Sequence, residues 1–379
     1  MTVALVHDYF TQRGGAERVA ARLAALYGDA PLYTSVLDDD ASPDGVDRTR
    51  IHTSALQRTR PAGLPLRSLA LAMPRAFAGL DLDAPEVVIS SSSAFAHHVR
   101  VPRGAVHLCY CHTPAPFLWS TERYFARNRL AGALARPGLA VLRSRDRAAM
   151  RRVDVVVANS SFTAERIRAV HGRQARVVHP PIDTARFRPA FECSGRFLTV
   201  SRLRPHKAID LVIAAANALR LPLDVIGDGS DRRRLEAMAG PTVRFLGRRS
   251  DAGVAEAMAR CIALVDPGVE DFGMVIAEVQ AAGRPPVAIG AGGATEIVDD
   301  GVTGFLAGEQ SVEAIGEAML RAQRNRLDPG ALLASARRFD AAVFDGAIRG
   351  LVDEVVSGRA ARTPPRRGAE PAAMPALPT

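Results

Sequence analysis

RFLTVSRLRPHKAIDLVIAAANALRLPLDVIG (196–227) decides the fold. RFLTVS (196–201) is a short apolar, β-branched run. SRLRPHK (201–207) is a turn interrupted by Pro205, AIDLVIAAANAL (208–219) is spaced as an amphipathic helix, and LDVIG (223–227) is a second strand. The same alternation runs outward in both directions, through TVALV (2–6), AERVAARLAALYG (16–28), EVVIS (86–90), VHLCY (106–110), DVVVA (154–158) and IALVD (262–266). Strands and helices alternating in this way predict parallel sheets covered by helices on both faces, an α/β architecture. The series restarts near Arg196, after the proline-rich HPPIDTARFRP (179–189), which reads as an interdomain linker. Two doubly wound domains in tandem place a ligand cleft between them, at the carboxyl ends of the strands. The expected boundaries are 1–186 and 187–340, with a helix at 341–357 packing back toward the first domain and a disordered tail at 358–379.

At 379 residues, 47% hydrophobic and 23% charged, the chain is long enough for two cores and excludes a disordered or collagen-like class. Four cysteines are too few for a disulfide framework, so a reducing compartment is expected. MTVALVHDYF lacks a charged leader, which argues against a signal peptide, and no run approaches the ~18 apolar residues of a spanning helix. The expected location is cytoplasmic, peripheral on the inner face of the plasma membrane.

The net charge of +9 is unevenly placed, and it is carried by 48 arginines and one lysine, Lys207. Residues 123–152 hold nine arginines and one acid, Asp146; residues 48–80 hold six arginines and no acid, interleaved with Leu64, Leu66, Leu69, Leu71, Met73 and Phe77. Arginine beside exposed leucine suits an anionic membrane surface, and a solvated helix face is the plain alternative. Nucleic acid is not expected as a partner, because only Tyr124 and Phe125 interleave with the arginines and no DNA-binding motif is present.

Three stretches carry chemistry. RGGAER (13–18) follows a strand and opens a helix, where Gly14 and Gly15 let backbone amides approach a phosphate; a tight turn would use the same glycines. In SRLRPHK, Arg202 and Lys207 flank Pro205 and can converge on a diphosphate, the fork of one gripping a phosphate and the point charge of the other neutralising its neighbour. In EDFGMVIAE (270–278), Gly273 opens a helix whose first amides, those of Gly273, Met274 and Val275, are available to phosphate oxygens. Glu270 and Glu278 flank that start and suit sugar hydroxyls, although two solvated acids would have the same spacing. The DFG within this stretch is not a kinase metal loop, since no G-x-G-x-x-G, V-A-I-K or H-R-D precedes it.

RGGAER, CHTP (111–114), SRL-x-x-x-K (201–207) and the two glutamates around Phe272–Gly273 match one pattern together. The chain resembles the retaining glycosyltransferases of family 4, whose GT-B fold is two facing Rossmann-like domains. The likeness covers residues 1–357 and is strongest in 196–306, where GDGSDRRRLEAM, VRFLGR and GGATEIVDDGVTGF follow family phrasing. It is most similar to bacterial mannosyltransferase-like enzymes of lipopolysaccharide and exopolysaccharide assembly.

The resemblance implies a nucleotide-sugar donor, GDP-mannose first, and a glycan or lipid-linked acceptor. It implies that Glu278 holds the ribose and Glu270 the donor sugar. Arg202 and Lys207 would bind the diphosphate with the amides of Gly273 and Met274, while Gly14 and Gly15 close from the other domain. Phe245, Gly247 and Arg248 would lie beside the base, Phe272 beside the donor, and His112 would be the active-site histidine near the sugar C6. Ala208 stands where the family usually has glycine. Front-face attack assisted by the leaving phosphate is the implied mechanism. No D-x-D motif accompanies the site and two fixed cations can replace a metal, so metal-independent transfer with no cofactor is expected. A nucleotide-sugar epimerase of the same fold and a non-catalytic basic nucleic-acid binder are the rival readings.

Smaller features receive structural readings. Cys109 and Cys111 share a strand face without forming a zinc site. His97 and His98 are adjacent, which predicts that they diverge. Ser90 to Ser93 end a strand, either as turn chemistry or against an acceptor.

Overall fold

A computed structural model of the chain describes residues 1–60, 66–119 and 129–360. Two parallel sheets organise it. The first runs β3-β2-β1-β4-β5-β6-β7, from β1 (Val3–His7), β2 (Leu32–Thr34), β3 (Ile51–Thr53), β4 (Val87–Ser92), β5 (Val106–Cys111), β6 (Val155–Ala158) and β7 (Arg176–Val177). The second runs β10-β9-β8-β11-β12-β13, from β8 (Phe197–Val200), β9 (Leu223–Ile226), β10 (Val243–Gly247), β11 (Leu264–Asp266), β12 (Pro286–Ile289) and β13 (Phe305–Ala307). The central strands β1, β4 and β5 are buried along their whole length. This is why they read as continuous apolar or small-residue runs rather than alternating ones.

Each strand order reverses direction once, between β1 and β4 and between β8 and β11. In such sheets a crevice opens at that reversal, outside the carboxyl ends of the strands. His7 and Asp8 leave β1 there, Ser91 to Ser93 leave β4, Ser201 and Arg202 leave β8, and Asp266 leaves β11.

The helices are built to local rules. Helix Ser161–His171 begins on Ser160, whose hydroxyl accepts from the Thr163 amide, and ends on Gly172 at φ +66°. The final helix, Ala341–Ala360, returns to the first sheet: Phe344, Ile348, Leu351 and Val352 pack in one core with Leu5, Leu23 and Tyr110. Arg22 Nε donates to Asp345 Oδ1 at 2.9 Å across that contact. Within the proline-rich connection, Ile182 and Phe187 join the core of the second domain beside Phe339, and the Ile182 amide donates to the Phe339 carbonyl at 2.8 Å. The tail from 361 onward lies outside the described residues, as do 61–65 and 120–128 of the basic segments.

Candidate active site

The loop after β8 carries Arg202 and Lys207, and glycines seat it. A Cβ on Gly227 would stand 1.8 Å from the Ser201 carbonyl oxygen, and one on Gly229 would stand 2.2 Å from that of Leu203. The GDG turn (227–229) therefore lies directly beneath this loop, joined to it by a bond from the Leu203 amide to the Asp228 carbonyl at 3.0 Å. Lys207 Nζ reaches both carboxylate oxygens of Glu270, at 2.6 and 2.8 Å. A second glycine pair seats Glu270: the Gly293 amide donates to the Glu270 carbonyl at 2.9 Å, and a Cβ on Gly292 would come within 2.4 Å of that same oxygen. Both glycine phrases of the second domain thus serve to let two site loops approach backbone to backbone.

Asp266, at the end of β11, adds a carboxylate to this group. Burial first, and then the Glu270 charge, push it up to about 7 despite Lys207. Burial and the neighbouring Lys207 and Arg202 hold His206 below its usual range. Gly273, at φ +97°, caps the helix Met274–Ala281, and Glu278 is buried within that helix.

The first domain supplies the facing wall. Gly14 caps the helix Gly15–Leu26, and a Cβ on Gly15 would stand 2.9 Å from Met274 Sδ, so the two helix starts nearly touch. His112 follows β5; its Nε2 is 2.8 Å from Ser91 Oγ, which is in turn 3.0 Å from His7 Nδ1. Burial pushes His112 down to about 3, leaving a neutral imidazole that can exchange a hydrogen bond with a hydroxyl. The Ser91–Ser93 turn is fixed by Asp8, whose carboxylate accepts the amides of Ser93, Ala94, Phe95 and Ala96 at 2.5–2.8 Å.

Charged contacts join the two walls. Arg18 Nη1 bonds Glu278 Oε1 at 2.6 Å, and Arg202 bonds Gln12. Arg166 bridges Thr113 (3.0 Å) to Asp271, beside Glu270. Glu296 accepts the Ser161 and Phe162 amides at 3.0 and 3.2 Å, at the start of the helix that follows β6. Burial raises Glu278 although Arg18 and Arg186 oppose it.

The expected residues therefore fall into three groups. Gly14, Gly15, Arg202, Lys207, Glu270, Gly273, Met274 and Glu278 meet around the crevice, with His112 in the first-domain loop facing it. Phe245 and Gly247 lie in β10 and Arg248 follows it; Gly247 takes φ +66° and its carbonyl accepts the Gly227 amide at 2.9 Å. The Phe272 ring is buried at 3% exposure against His179 and Phe339, centroids 5.4 and 5.2 Å away, and its backbone packs against Gly293. Asp8, Arg18, Arg166 and Asp266 escaped the sequence reading. The signal for Asp8 and Asp266 was available, since each is an acid at the carboxyl end of an apolar strand beside a chain reversal.

His97 and His98 are a correction. They do not diverge: both Nε2 atoms converge on Asp146 Oδ1, at 2.9 and 3.4 Å. Cys109 and Cys111 do share one face, buried with Met150 and Val156.

Comparison with known proteins agrees with this geometry. Residues 13–186 match the family model described as Glycosyltransferase Family 4, and residues 194–325 match that of Glycosyl transferases group 1. A GDP-mannose-dependent alpha-mannosyltransferase of Mycobacterium tuberculosis is 32% identical over 70% of this chain and 72% of its own length. A D-inositol 3-phosphate glycosyltransferase of Nocardioides is 30% identical over 47% of this chain; there, as with other curated relatives, the chain spans about half of the relative's length (49%). The crystal structure of Anabaena Alr3699/HepE in complex with UDP and glucose superposes with TM-score 0.69 at 20% identity, covering 93% of this chain and 99% of that one. With its sheet orders, its facing loops and these matches, the chain belongs to glycosyltransferase family 4 and adopts the GT-B fold.

Proposed function

We propose that the protein transfers a hexose, mannose from GDP-mannose in the first instance, with retention of configuration, to a hydroxyl of a glycan or lipid-linked acceptor. The observation that carries this reading is the Lys207–Glu270 pair, set at the carboxyl ends of β8 and β11 and faced by Gly14, Gly15 and the start of helix Met274–Ala281. Arg202, Lys207 and the helix amides would stabilise charge developing on the departing diphosphate, the kind of interaction that usually contributes most to catalysis. Glu270, relieved of Lys207, would accept from sugar hydroxyls, Glu278 from the ribose, and neutral His112 would meet the sugar from the other wall. The preference for GDP-mannose rests on the mycobacterial relative; the UDP held by HepE makes uridine donors the competing case. Thermal-shift titration with GDP, UDP and their sugars separates the two, because a ligand at 100 times its Kd adds about 2.7 kcal/mol. Glu270→Gln should then abolish most turnover while sparing binding of the bare diphosphate, and the opposite division would refute the assignment.

We further propose peripheral attachment to an anionic membrane. Leu71 and Val141 are 58% and 50% exposed, on adjoining elements (Leu71 lies 4.0 Å from the Cβ position of Gly138), amid the exposed Arg136, Arg145 and Arg151. The support is unequal along the chain. Arg50 is committed to the Ala30 carbonyl at 2.7 Å and Arg60 to Asp38 at 3.0 Å, so within the described residues the helix Arg129–Arg151 is the better surface. No helix among those residues is long and apolar enough to cross a membrane. Co-sedimentation with anionic vesicles should weaken as salt rises; equal binding to neutral vesicles would refute the proposal.

A further inference from the structure

Away from the cleft, the first domain buries a cluster of ligand-type side chains that the reaction does not use. His97 and His98 come from the turn after β4, Asp146 from helix Arg129–Arg151, and His171 from the last position of helix Ser161–His171. His97 is 4% exposed, His98 4% and Asp146 1%. One ring nitrogen each of His97 and His98 and a carboxylate oxygen of Asp146 all lie within 4.8 Å of one another. His171 Nε2 stands 3.7 Å from Asp146 Oδ2, its side chain 1% exposed. We propose that this cluster is a structural site for one divalent transition-metal ion, best matched to zinc, with His97, His98 and Asp146 as ligands.

Two observations point the same way. Tetrahedral zinc with bonds of about 2.0–2.1 Å spaces its ligand atoms about 3.3 Å apart. The separations here, 2.9 and 3.4 Å from His97 Nε2 and His98 Nε2 to Asp146 Oδ1, bracket that edge. The surrounding groups are those that orient metal ligands. Ser92 Oγ is 3.0 Å from His97 Nδ1, and a hydroxyl can donate to or accept from that nitrogen as the imidazole changes tautomer. Trp119 Nε1 donates to Asp146 Oδ2 at 2.8 Å, leaving Oδ1 turned to the two histidines.

His171 borders the cluster: its Nε2 stands 3.7 Å from Asp146 Oδ2, its Nδ1 is buried with no hydrogen-bond partner among the described residues, and its ring packs edge-on against Trp119 with centroids 5.5 Å apart. Loaded, the site would pin helix Arg129–Arg151 to the Ala96–His98 turn.

The test uses the full chain, tag-free and with Cys193→Ser to remove the exposed thiol, stripped with EDTA and titrated with zinc. One equivalent should bind and raise the melting temperature, and Co2+ in its place should show the visible absorption of four-coordinate cobalt. His98→Gln should lower zinc affinity at least tenfold with an unchanged circular dichroism spectrum and unchanged thermal shift by the nucleoside diphosphate. Because Asp146→Asn disturbs a buried hub and can unfold the domain, His97→Gln is the second variant and should weaken zinc in the same sense. No zinc bound by the folded parent, or stoichiometric binding undiminished in His98→Gln and His97→Gln together, overturns the site and leaves Asp146 a hydrogen-bond hub.

Discussion

Gly293 offers the sharpest test of how the donor loop is held. Its backbone is ordinary, so alanine there carries no conformational penalty, and at this helix start would by propensity be slightly favourable. Space decides instead. The added Cβ would stand 2.3 Å from Phe272 Cα and 2.5 Å from the Phe272 carbonyl oxygen, and both are backbone atoms that cannot rotate aside. Ordinary contact begins at 3.4 Å, so the loop has to retreat by about 1.1 Å. That retreat stretches the 2.9 Å bond from the Gly293 amide to the Glu270 carbonyl and draws the Glu270 carboxylate away from Lys207. Overpacking of this kind costs about 1–3 kcal/mol, and a displacement of about 1 Å in a positioning group costs on the order of a hundredfold in rate. Gly293→Ala should therefore lose about two decades in kcat/KM while remaining folded in urea melts. Gly301→Ala is the control: its φ of +77° predicts strain of about 1 kcal/mol, yet nothing lies within 4 Å of its Cβ, so rate should not change. Wild-type kinetics in Gly293→Ala, or equal loss in Gly301→Ala, would refute the reasoning.

Other substitutions probe the same loops. Lys207→Arg should lose at least tenfold in kcat/KM, about 1.4 kcal/mol, because a planar fork cannot occupy the position of a compact ammonium; Arg204→Lys beside it should be silent in the same assay. Ala208 is held at φ +53°, so Ala208→Gly should stabilise by about 0.5–1 kcal/mol in urea melts, the left-handed strain relieved less the entropy glycine adds to the unfolded chain. Asp266 is raised from 3.8 to about 7, so between those values the folded chain binds more protons than the unfolded one and its stability falls as pH rises. Asp266→Asn should remove that fall, gaining on wild type as melts are repeated from pH 4 to pH 8; parallel curves would show that Asp266 does not titrate there.

The sequence was legible where one kind of side chain dictated one kind of backbone. The seven apolar runs read as strands all became strands, because a parallel sheet buried on both faces leaves no room for polar alternation. The short or atypical strands were not readable. β2 and β3 are three residues long, β7 has two exposed residues, and β12 begins with Pro286, whose neighbouring proline reads as a turn. At the site, Gly14, Gly15 and Gly273 were read for phosphate contact, whereas Gly227, Gly229, Gly292 and Gly293, present only as family phrasing, give clearance beneath the loops that bear Arg202 and Glu270. His97 and His98 were misread because adjacency says nothing about a turn of Ala96–His98 that gathers both rings onto a carboxylate 48 residues further along the chain.

The cleft's charges have one property in common that sequence could not show. Several groups expected to meet the donor already have a substitute partner: Lys207 has Glu270, Arg202 has Gln12, and Glu278 has Arg18. Leaving such groups half-buried and unpaired would cost more than pairing them, so the free protein satisfies them internally. Under the proposed assignments donor binding would be an exchange of partners. A diphosphate that draws Lys207 away would release Glu270, and the released carboxylate would be the acceptor for the sugar hydroxyls. Phosphate recognition and sugar recognition would thereby be joined through one ion pair of 2.6 Å. The same logic would tie the domains together, because Glu278 would reach a ribose only as Arg18 of the facing helix lets go. A free sugar, which carries no phosphate to compete for Lys207, should therefore bind poorly even at high concentration, while a bare nucleoside diphosphate should bind well and leave Glu270 ready. Glucose or mannose shifting the melting temperature as strongly as the diphosphate would break this link.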